Sequence, residues 1–299
     1  MCRSQDAYVD NAPHLRQERN GYPMGILESI LYGILQGIAE FLPISSSGHL
    51  ALAHNFFGAE GEQYLAFDIL LHLATLFAVL IMYRREVWLI AKGFFTLMGK
   101  VFAGKVKKAP LEFGERLFLM LCVASIPLVP AALLSDYVEA VNGTSWLIGC
   151  LLIFNGCMLW FSDRLAAGKI TLEQAGWLRP FLVGLVQMVG VLPGISRSGS
   201  TITGGRLCGF TREDAVRFSF LMSMPAILGA CVLELPDFFA GGISSELAAP
   251  CIAGALTAFV VGLGAIKLLQ FFARKKGFTL FSVYTVVIGL AAIVADLCL

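Results

Sequence analysis

Hydrophobic residues run through this chain in blocks of the length a bilayer-crossing helix needs, about 20 residues. They fall at residues 65–83, 117–134, 145–162, 218–235, 247–271 and 279–298. Two further apolar stretches are interrupted. Residues 24–42 contain Glu28, Gly33, Gln36, Gly37 and Glu40, and residues 178–192 and 199–210 flank the sequence PGISRSGST. A polar turn inside an apolar region predicts a broken, re-entrant helix, because irregular backbone survives at membrane depth only where it faces protein or a water-filled cavity. Residues 86–103 are amphipathic and read as a piece lying at the interface. Pro127, Pro130 and Pro225 fall within spans, where neighbouring helices can satisfy the freed carbonyls.

Composition agrees with this pattern. Of 299 residues, 57% are hydrophobic and 14% charged, against about a quarter charged in soluble domains, and the mean hydropathy is +0.76. The chain reads as an integral membrane protein. A net charge of +1 and the lack of a basic tract leave no sign of a nucleic-acid partner. Cys122, Cys150, Cys157 and Cys231 lie inside apolar runs without metal-ligand spacing, so the cysteines read as small core hydrophobes. Residues 1–23 are polar, with Arg3, Arg16 and Arg19 among acidic residues, and lack the apolar core of a cleavable signal. They read as an extension to one membrane domain, 24–299.

That domain repeats itself. At a shift of 151 residues, Gly33 falls on Gly184, Gln36 on Gln187, Ile44 on Ile195, Ser45 on Ser196, Ser47 on Ser198 and Gly48 on Gly199. The match continues through Gly58 on Gly209, Glu62 on Glu213 and Phe67 on Phe218. Each half, 24–162 and 178–299, holds a broken segment and three spans. An odd number of spans forces opposite orientations, so the expected fold is an all-α polytopic membrane protein: six transmembrane helices plus two re-entrant helix-loop-helix segments in an inverted-topology repeat.

Basic residues set the direction. Arg84, Arg85, Lys92, Lys100, Lys105, Lys107, Lys108 and Arg116 follow the first span, which places that loop in the cytoplasm. Threading onward puts Arg164, Lys169, Arg179, Arg274, Lys275 and Lys276 inside as well, and leaves 135–143 and 236–246, which hold no Lys or Arg, outside. The first broken segment then enters from outside, the second from the cytoplasm, and their turns reach toward one mid-membrane site.

Chemistry is concentrated at those turns. The first, QGIAEFLPISSSGH (Gln36 to His49), places Gln36 and Glu40 on one helix face, able to hold one ion or water. Pro43 ends the helix, and Ser45, Ser46 and Ser47 form a hydroxyl-rich turn suited to an anion, followed by His49. The second, PGISRSGST (Pro193 to Thr201), sets Arg197 among Ser196, Ser198, Ser200 and Thr201. An arginine at membrane depth needs an anionic partner, and its planar fork matches phosphate oxygens. Together the turns suggest a phosphate group handled inside the membrane, for transfer or for transport.

These two motifs, their order and their separation resemble the signatures of the undecaprenyl-diphosphatase family, the bacitracin-resistance lipid phosphatases of bacteria, over residues 24–299. The resemblance implies hydrolysis of undecaprenyl diphosphate to the monophosphate carrier used in cell-wall synthesis. It also implies a divalent metal, Mg²⁺ or Ca²⁺, and a site facing the outer side of the cytoplasmic (inner) membrane. Carried over by position, Glu40 and Gln36 become metal ligands, with glutamine standing where the pattern accepts Glu or Gln. Ser46 and His49 take nucleophilic or acid–base roles, with His49 activating the attacking oxygen, and Arg197 binds phosphate. Ser45, Ser47, Ser196, Ser198 and Thr201 are the accompanying substrate-binding hydroxyls. The polyprenyl diphosphate and the bilayer are the expected partners, and a second copy of the chain is a candidate one.

The rival class is a secondary transporter or lipid-phosphate flippase, since such folds also bring broken helices together at the midplane. A catalytically inactive scaffold is a third reading, which the intact set of Glu40, Ser46, His49 and Arg197 opposes. His54 and His72, without polar company in the sequence, read as packing or interface residues, and Glu28 and Asp68 as mouth residues or structural pairs.

Overall fold

The computed structural model describes residues 25–57, 62–104, 110–131, 135–241 and 245–298. The extension 1–23 and Lys105, Lys107 and Lys108 lie outside the described residues. The described chain is helical: α1 (Ile26–Ala39), α2 (Ser46–Phe57), α3 (Glu62–Met82), α4 (Arg84–Phe102), α5 (Phe113–Ser125), α6 (Leu128–Ala131), α7 (Ser135–Asn142), α8 (Ser145–Arg164), α9 (Leu178–Val189), α10 (Arg197–Leu207), α11 (Arg212–Gly241), α12 (Ser245–Lys275) and α13 (Thr279–Cys298). Its β pairing, among those residues, is an isolated bridge between Ile170 and Phe210.

Five stretches are long and apolar enough to cross a membrane: Phe113–Pro130, Ser145–Arg164, Arg212–Val232, Leu247–Lys275 and Thr279–Cys298. A sixth is reached if Phe67–Met82 and Arg84–Phe102, which meet at 88°, count as one bent span. The protein is therefore multi-pass. The sequence-based boundaries shift in places. The span expected at 117–134 starts at Phe113 and breaks after Ser125, next to Pro127, before resuming as α6. Pro250 sits inside α12 without ending it.

The glycines that interrupt 24–42 have a packing reason. Gly33 and Gly37 of α1 face the backbone of α12 at Gly254 and Ala258, so closely that a methyl group at either would strike a carbonyl oxygen. Small residues let membrane helices approach and gain dispersion contacts that lipid alone does not favour. Gly149 of α8 and Gly289 of α13 meet each other's carbonyls in the same way, and Gly184 of α9 abuts the Ala124 carbonyl of α5. In this packing α1 of the first half lies on α12 of the second, α9 of the second on α5 of the first, and α3 against α11. Phe41, Phe67, Phe210, Phe218 and Phe220 are fully buried between these layers, with Phe41 and Phe220 edge to face at 5.7 Å.

The cysteine reading needs correcting. Cys122, Cys150, Cys157 and Cys298 are exposed and only Cys231 and Cys251 are buried, so most of the described cysteines face outward from the bundle. A small apolar residue suits lipid as well as core, so an apolar run does not distinguish the two faces.

One end of the bundle is tied by charge. Asp163, in the last turn of α8, accepts hydrogen bonds from the Phe278 amide, Thr279 Oγ1 (2.9 Å) and Arg212 Nη2 (3.3 Å). Arg217 reaches Glu86 (3.2 Å) and Glu173 (3.4 Å), while Arg116 donates to the carbonyls of Glu173 (3.0 Å) and Ala175 (2.9 Å). These contacts join the three loop regions that the basic residues place together.

Candidate active site

α1 ends at Ala39, short of the stop at Pro43 that the sequence predicts. Glu40 keeps helical backbone, its amide bonded to the Gln36 carbonyl at 2.9 Å, and the chain then turns through Pro43, whose ring removes a donor and disfavours helix in Leu42. Ser45 follows with φ of +73°, a left-handed conformation uncommon for a residue with a Cβ. Its hydroxyl accepts the Gly48 amide at 3.2 Å, capping α2, and also the Gly194 amide at 3.1 Å, from the other turn. In the second turn Ser196 caps α10 by accepting the Gly199 amide at 3.1 Å, and Gly194 carries the left-handed φ, +96°. Each cap serine also pairs with the serine two positions on, Ser45 with Ser47 at 3.4 Å and Ser196 with Ser198 at 3.0 Å. Two helix N-termini, each the positive end of a dipole, thus begin beside one another.

The two turns touch. Gly48 packs against Gly194 with no room for a side chain, and Asn155 of α8 spans both. Its Nδ2 donates to the Pro43 carbonyl (2.9 Å) and its Oδ1 accepts from the Ser196 amide (3.0 Å). Asn155 is fully buried, and the bonds it makes are the ones that two irregular turns cannot make within themselves.

Glu40 is the electrostatic centre. Its side chain is 4% exposed and forms an ion pair through Oε1 with Arg197 Nη2. Its Oε2 accepts from Ser46 Oγ at 2.7 Å and from Gln36 Nε2 at 3.1 Å, and lies 3.8 Å from His72 Nε2. Arg197 also donates to the Ser223 carbonyl at 3.2 Å. A buried charge persists only when paired and hydrogen-bonded, and here the pair is made across the two halves of the chain. Gln36 Oε1 has no hydrogen-bond partner.

Glu40, Ser45, Ser46, Ser47, Ser196 and Arg197 line a cavity of about 1260 Å³. Gln36, His49, Ser198 and Thr201 do not. His49, expected to activate the attacking oxygen, has Nδ1 2.8 Å from the Ser45 carbonyl and Nε2 3.0 Å from the Tyr284 hydroxyl, and its ring stacks on Tyr284. Ser46 instead donates to Glu40. Thr201 bonds the Arg197 carbonyl (2.9 Å) and Ser219 Oγ (2.6 Å), which fastens α10 to α11. Among the described residues, no three His, Cys, Asp or Glu side chains come together as a metal site.

Three residues at the site escape the sequence reading. His72 lines the cavity beside Glu40 and is not a packing residue, with Asp68 one helical turn before it. Gln187 also lines it, 1% exposed, with neither amide atom hydrogen-bonded. Asn155 is the third. The signals were there: an asparagine inside an otherwise apolar span, and a glutamine at the repeat position of Gln36.

Comparison with known proteins places this geometry. Residues 29–291 match the family described as bacitracin resistance protein BacA. An undecaprenyl-diphosphatase of Alkaliphilus metalliredigens is 37% identical over 275 residues, which cover 92% of this chain and 100% of that protein. An undecaprenyl-diphosphatase of Desulforapulum autotrophicum is 40% identical over 275 residues, 91% of this chain and 99% of the relative. One from Bacteroides thetaiotaomicron is 36% identical over 281 residues, 92% of this chain and 100% of the relative.

Proposed function

The chain belongs to the bacitracin resistance protein BacA family, and from that premise we propose that it hydrolyses undecaprenyl diphosphate to undecaprenyl phosphate and inorganic phosphate. The observation that carries the proposal is the buried Glu40 that pairs with Arg197 and also accepts the Ser46 hydroxyl proton. A diphosphate head entering the cavity competes for Arg197, whose guanidinium then neutralises charge on the terminal phosphoryl group. Glu40, relieved of the arginine, takes the proton from the attacking oxygen. That oxygen, Ser46 Oγ or a water in its place, forms a bond to the terminal phosphorus as the bond to the bridging oxygen breaks. The lipid monophosphate is the leaving group, and where Ser46 is the attacking group a water then hydrolyses the phosphoserine, returning the Ser46 hydroxyl and releasing inorganic phosphate. His49 works as a positioning residue: it holds the Ser45 carbonyl and Tyr284, and so the turn that presents Ser46.

Glu40 and Gln36 would hold a divalent cation. The fit rests on Gln36 Oε1, a buried oxygen without a partner beside the carboxylate. One carboxylate and one amide oxygen suit Mg²⁺, which binds through few protein ligands and takes the rest from substrate phosphates and water. When bound, it would offset charge on the phosphate oxygens.

The inverted repeat and the re-entrant segments belong to the same proposal. Supporting them are the shift of 151 residues (Gly33 to Gly184), the exchange of partners between α1 on α12 and α9 on α5, and the shortness of α1 and α9. The clustering of Arg116, Arg212 and Arg217 at one end favours a cytoplasmic assignment for that end, with the cavity opening to the outer face of the bacterial inner membrane.

The test is phosphate release from undecaprenyl diphosphate by the detergent-purified protein, with and without EDTA. Metal-dependent release is expected, and no release by wild type would return the reading to transport. Ser46→Ala with full turnover would assign the attack to water, and a labelled phosphoserine in wild type would assign it to Ser46.

A further inference from the structure

Within the apolar run FDILLHLATL (Phe67 to Leu76), α3 carries two ionisable side chains one turn apart, Asp68 and His72. Such groups in a membrane helix mark function more often than packing. Both line the cavity, His72 beside Glu40.

Two histidine rings near the site are held alike. His49 Nδ1 lies 2.8 Å from the Ser45 carbonyl and His72 Nδ1 2.8 Å from the Asp68 carbonyl, each four residues back in the chain. A carbonyl oxygen only accepts, so Nδ1 carries the hydrogen in both, and the neutral ring offers its lone pair at Nε2. The two differ at that second nitrogen. His49 Nε2 takes the Tyr284 hydroxyl at 3.0 Å. His72 Nε2 makes no hydrogen bond among the described residues and faces Glu40 Oε2 at 3.8 Å, beyond hydrogen-bond reach. Two acceptors at that separation repel unless a cation joins them. Bonds from a divalent ion to an imidazole nitrogen and a carboxylate oxygen are about 2.1 Å each, about 4.2 Å together, so one ion reaches both atoms. The backbone bond at Nδ1 is the support that fixes the tautomer and ring of a ligating histidine.

We propose that His72, through Nε2, is a ligand of the divalent cation held by Glu40 and Gln36, and that it makes the site prefer a first-row transition ion such as Mn²⁺ to Mg²⁺. The proposal deepens the hydrolase reading and rests on it for the substrate. Glu40 divides its oxygens: Oε1 pairs with Arg197, while Oε2 faces Gln36, Ser46 and His72. The ion needs only Oε2, so the arginine stays in place until substrate arrives. Turning the Gln36 amide over brings its unpartnered Oε1 to the position of Nε2, 3.1 Å from Glu40 Oε2. One carboxylate, one amide oxygen and one imidazole make a mixed set, in which the nitrogen adds affinity for transition ions and little for Mg²⁺, which takes oxygen. With Arg197, the ion gives the foot of the cavity the positive excess that a diphosphate head requires.

The test uses the detergent-purified full chain, stripped with EDTA and loaded with Mn²⁺, which takes the oxygen donors of Mg²⁺ and accepts nitrogen as well. Pulsed electron paramagnetic resonance reads nitrogen bonded to the ion, and the free Mn²⁺ signal reads its Kd. Wild type is expected to show a nitrogen modulation that His72→Gln loses, with Mn²⁺ binding weakened about tenfold or more. Mg²⁺, followed by competition, is expected to weaken less than about threefold. His54→Gln is the control, because His54 lines the same cavity, and it is expected to keep both the modulation and the Kd. A modulation absent from wild type or unchanged in His72→Gln would overturn the proposal, as would equal weakening of the two ions. If His72→Gln does not fold, His49→Gln and His54→Gln decide: nitrogen surviving in both supports His72, and its loss in either overturns it. Phosphate release is scored separately. Hydrolysis by protein whose Mn²⁺ shows no nitrogen removes the His72 ligand alone, and nitrogen-bound Mn²⁺ without hydrolysis removes the hydrolase reading alone.

Discussion

Ser45 caps α2 from a left-handed φ of +73°, while Ser196 caps α10 from an extended backbone, φ −75°. Both accept the amide of a glycine three positions on, and both meet a second serine hydroxyl two positions on. The turns therefore share a device and differ in what is mounted on it. The residue after the cap is Ser46 in the first and Arg197 in the second, and Glu40 corresponds to Val191 at the shift of 151. Both turns have the capped helix start. Ser46 follows the cap in the first turn and Arg197 in the second, so neither turn has a complete site and the Glu40–Arg197 pair closes it.

The largest test of this division removes one charge from each turn. Arg197→Ala and Glu40→Ala are each expected to lower phosphate release by about 10²–10³-fold, as loss of a preorganised charge contact does. Each is also expected to destabilise the fold by about 3–5 kcal/mol, by leaving the other charge buried alone. The double variant Glu40→Gln/Arg197→Met is then expected to unfold later than either single variant while remaining inactive, measured by thermal unfolding in detergent. Unfolding of the double variant as early as the singles would break the claim that the two turns balance one another.

Next is the link between the turns. Asn155→Ala leaves the Pro43 carbonyl and the Ser196 amide without the partner they share, for an expected loss of about 2–4 kcal/mol in stability. A thermal midpoint equal to wild type would show that the turns hold their relation without Asn155. Gly48→Ala sets a methyl against Gly194, and an overpacking cost of about 1–3 kcal/mol is expected, with reduced activity from displaced turns. The smallest change is Gln36→Glu, which adds a second carboxylate beside Glu40. It is expected to tighten Mg²⁺ by about tenfold, read as the concentration that restores EDTA-treated enzyme. Unchanged magnesium dependence would remove Gln36 from the ligand set.

Much of this was legible in the sequence. The all-helical class and the apolar spans follow from hydropathy, because a bilayer imposes length and polarity on each helix separately. The Ser-x-x-Gly caps are local too, since the cap and its donor are three residues apart. That Glu40, Ser46 and Arg197 belong together was readable from residue type, since charges inside a membrane seek partners.

Tertiary structure decided which side chains reach the cavity. Nothing within the first motif tells that His49 turns to Tyr284, 235 positions away, while Ser46 turns to Glu40. Ser198 and Thr201 carry the same hydroxyls as their neighbours but leave the cavity lining, and His72 and Gln187 enter it from other helices. A motif fixes the donors and acceptors and their spacing along one helix. Which way each points depends on the facing helix, here α8, α11 and α13, and that partner is chosen by packing of small residues such as Gly149 against Gly289, far from the motif in the chain.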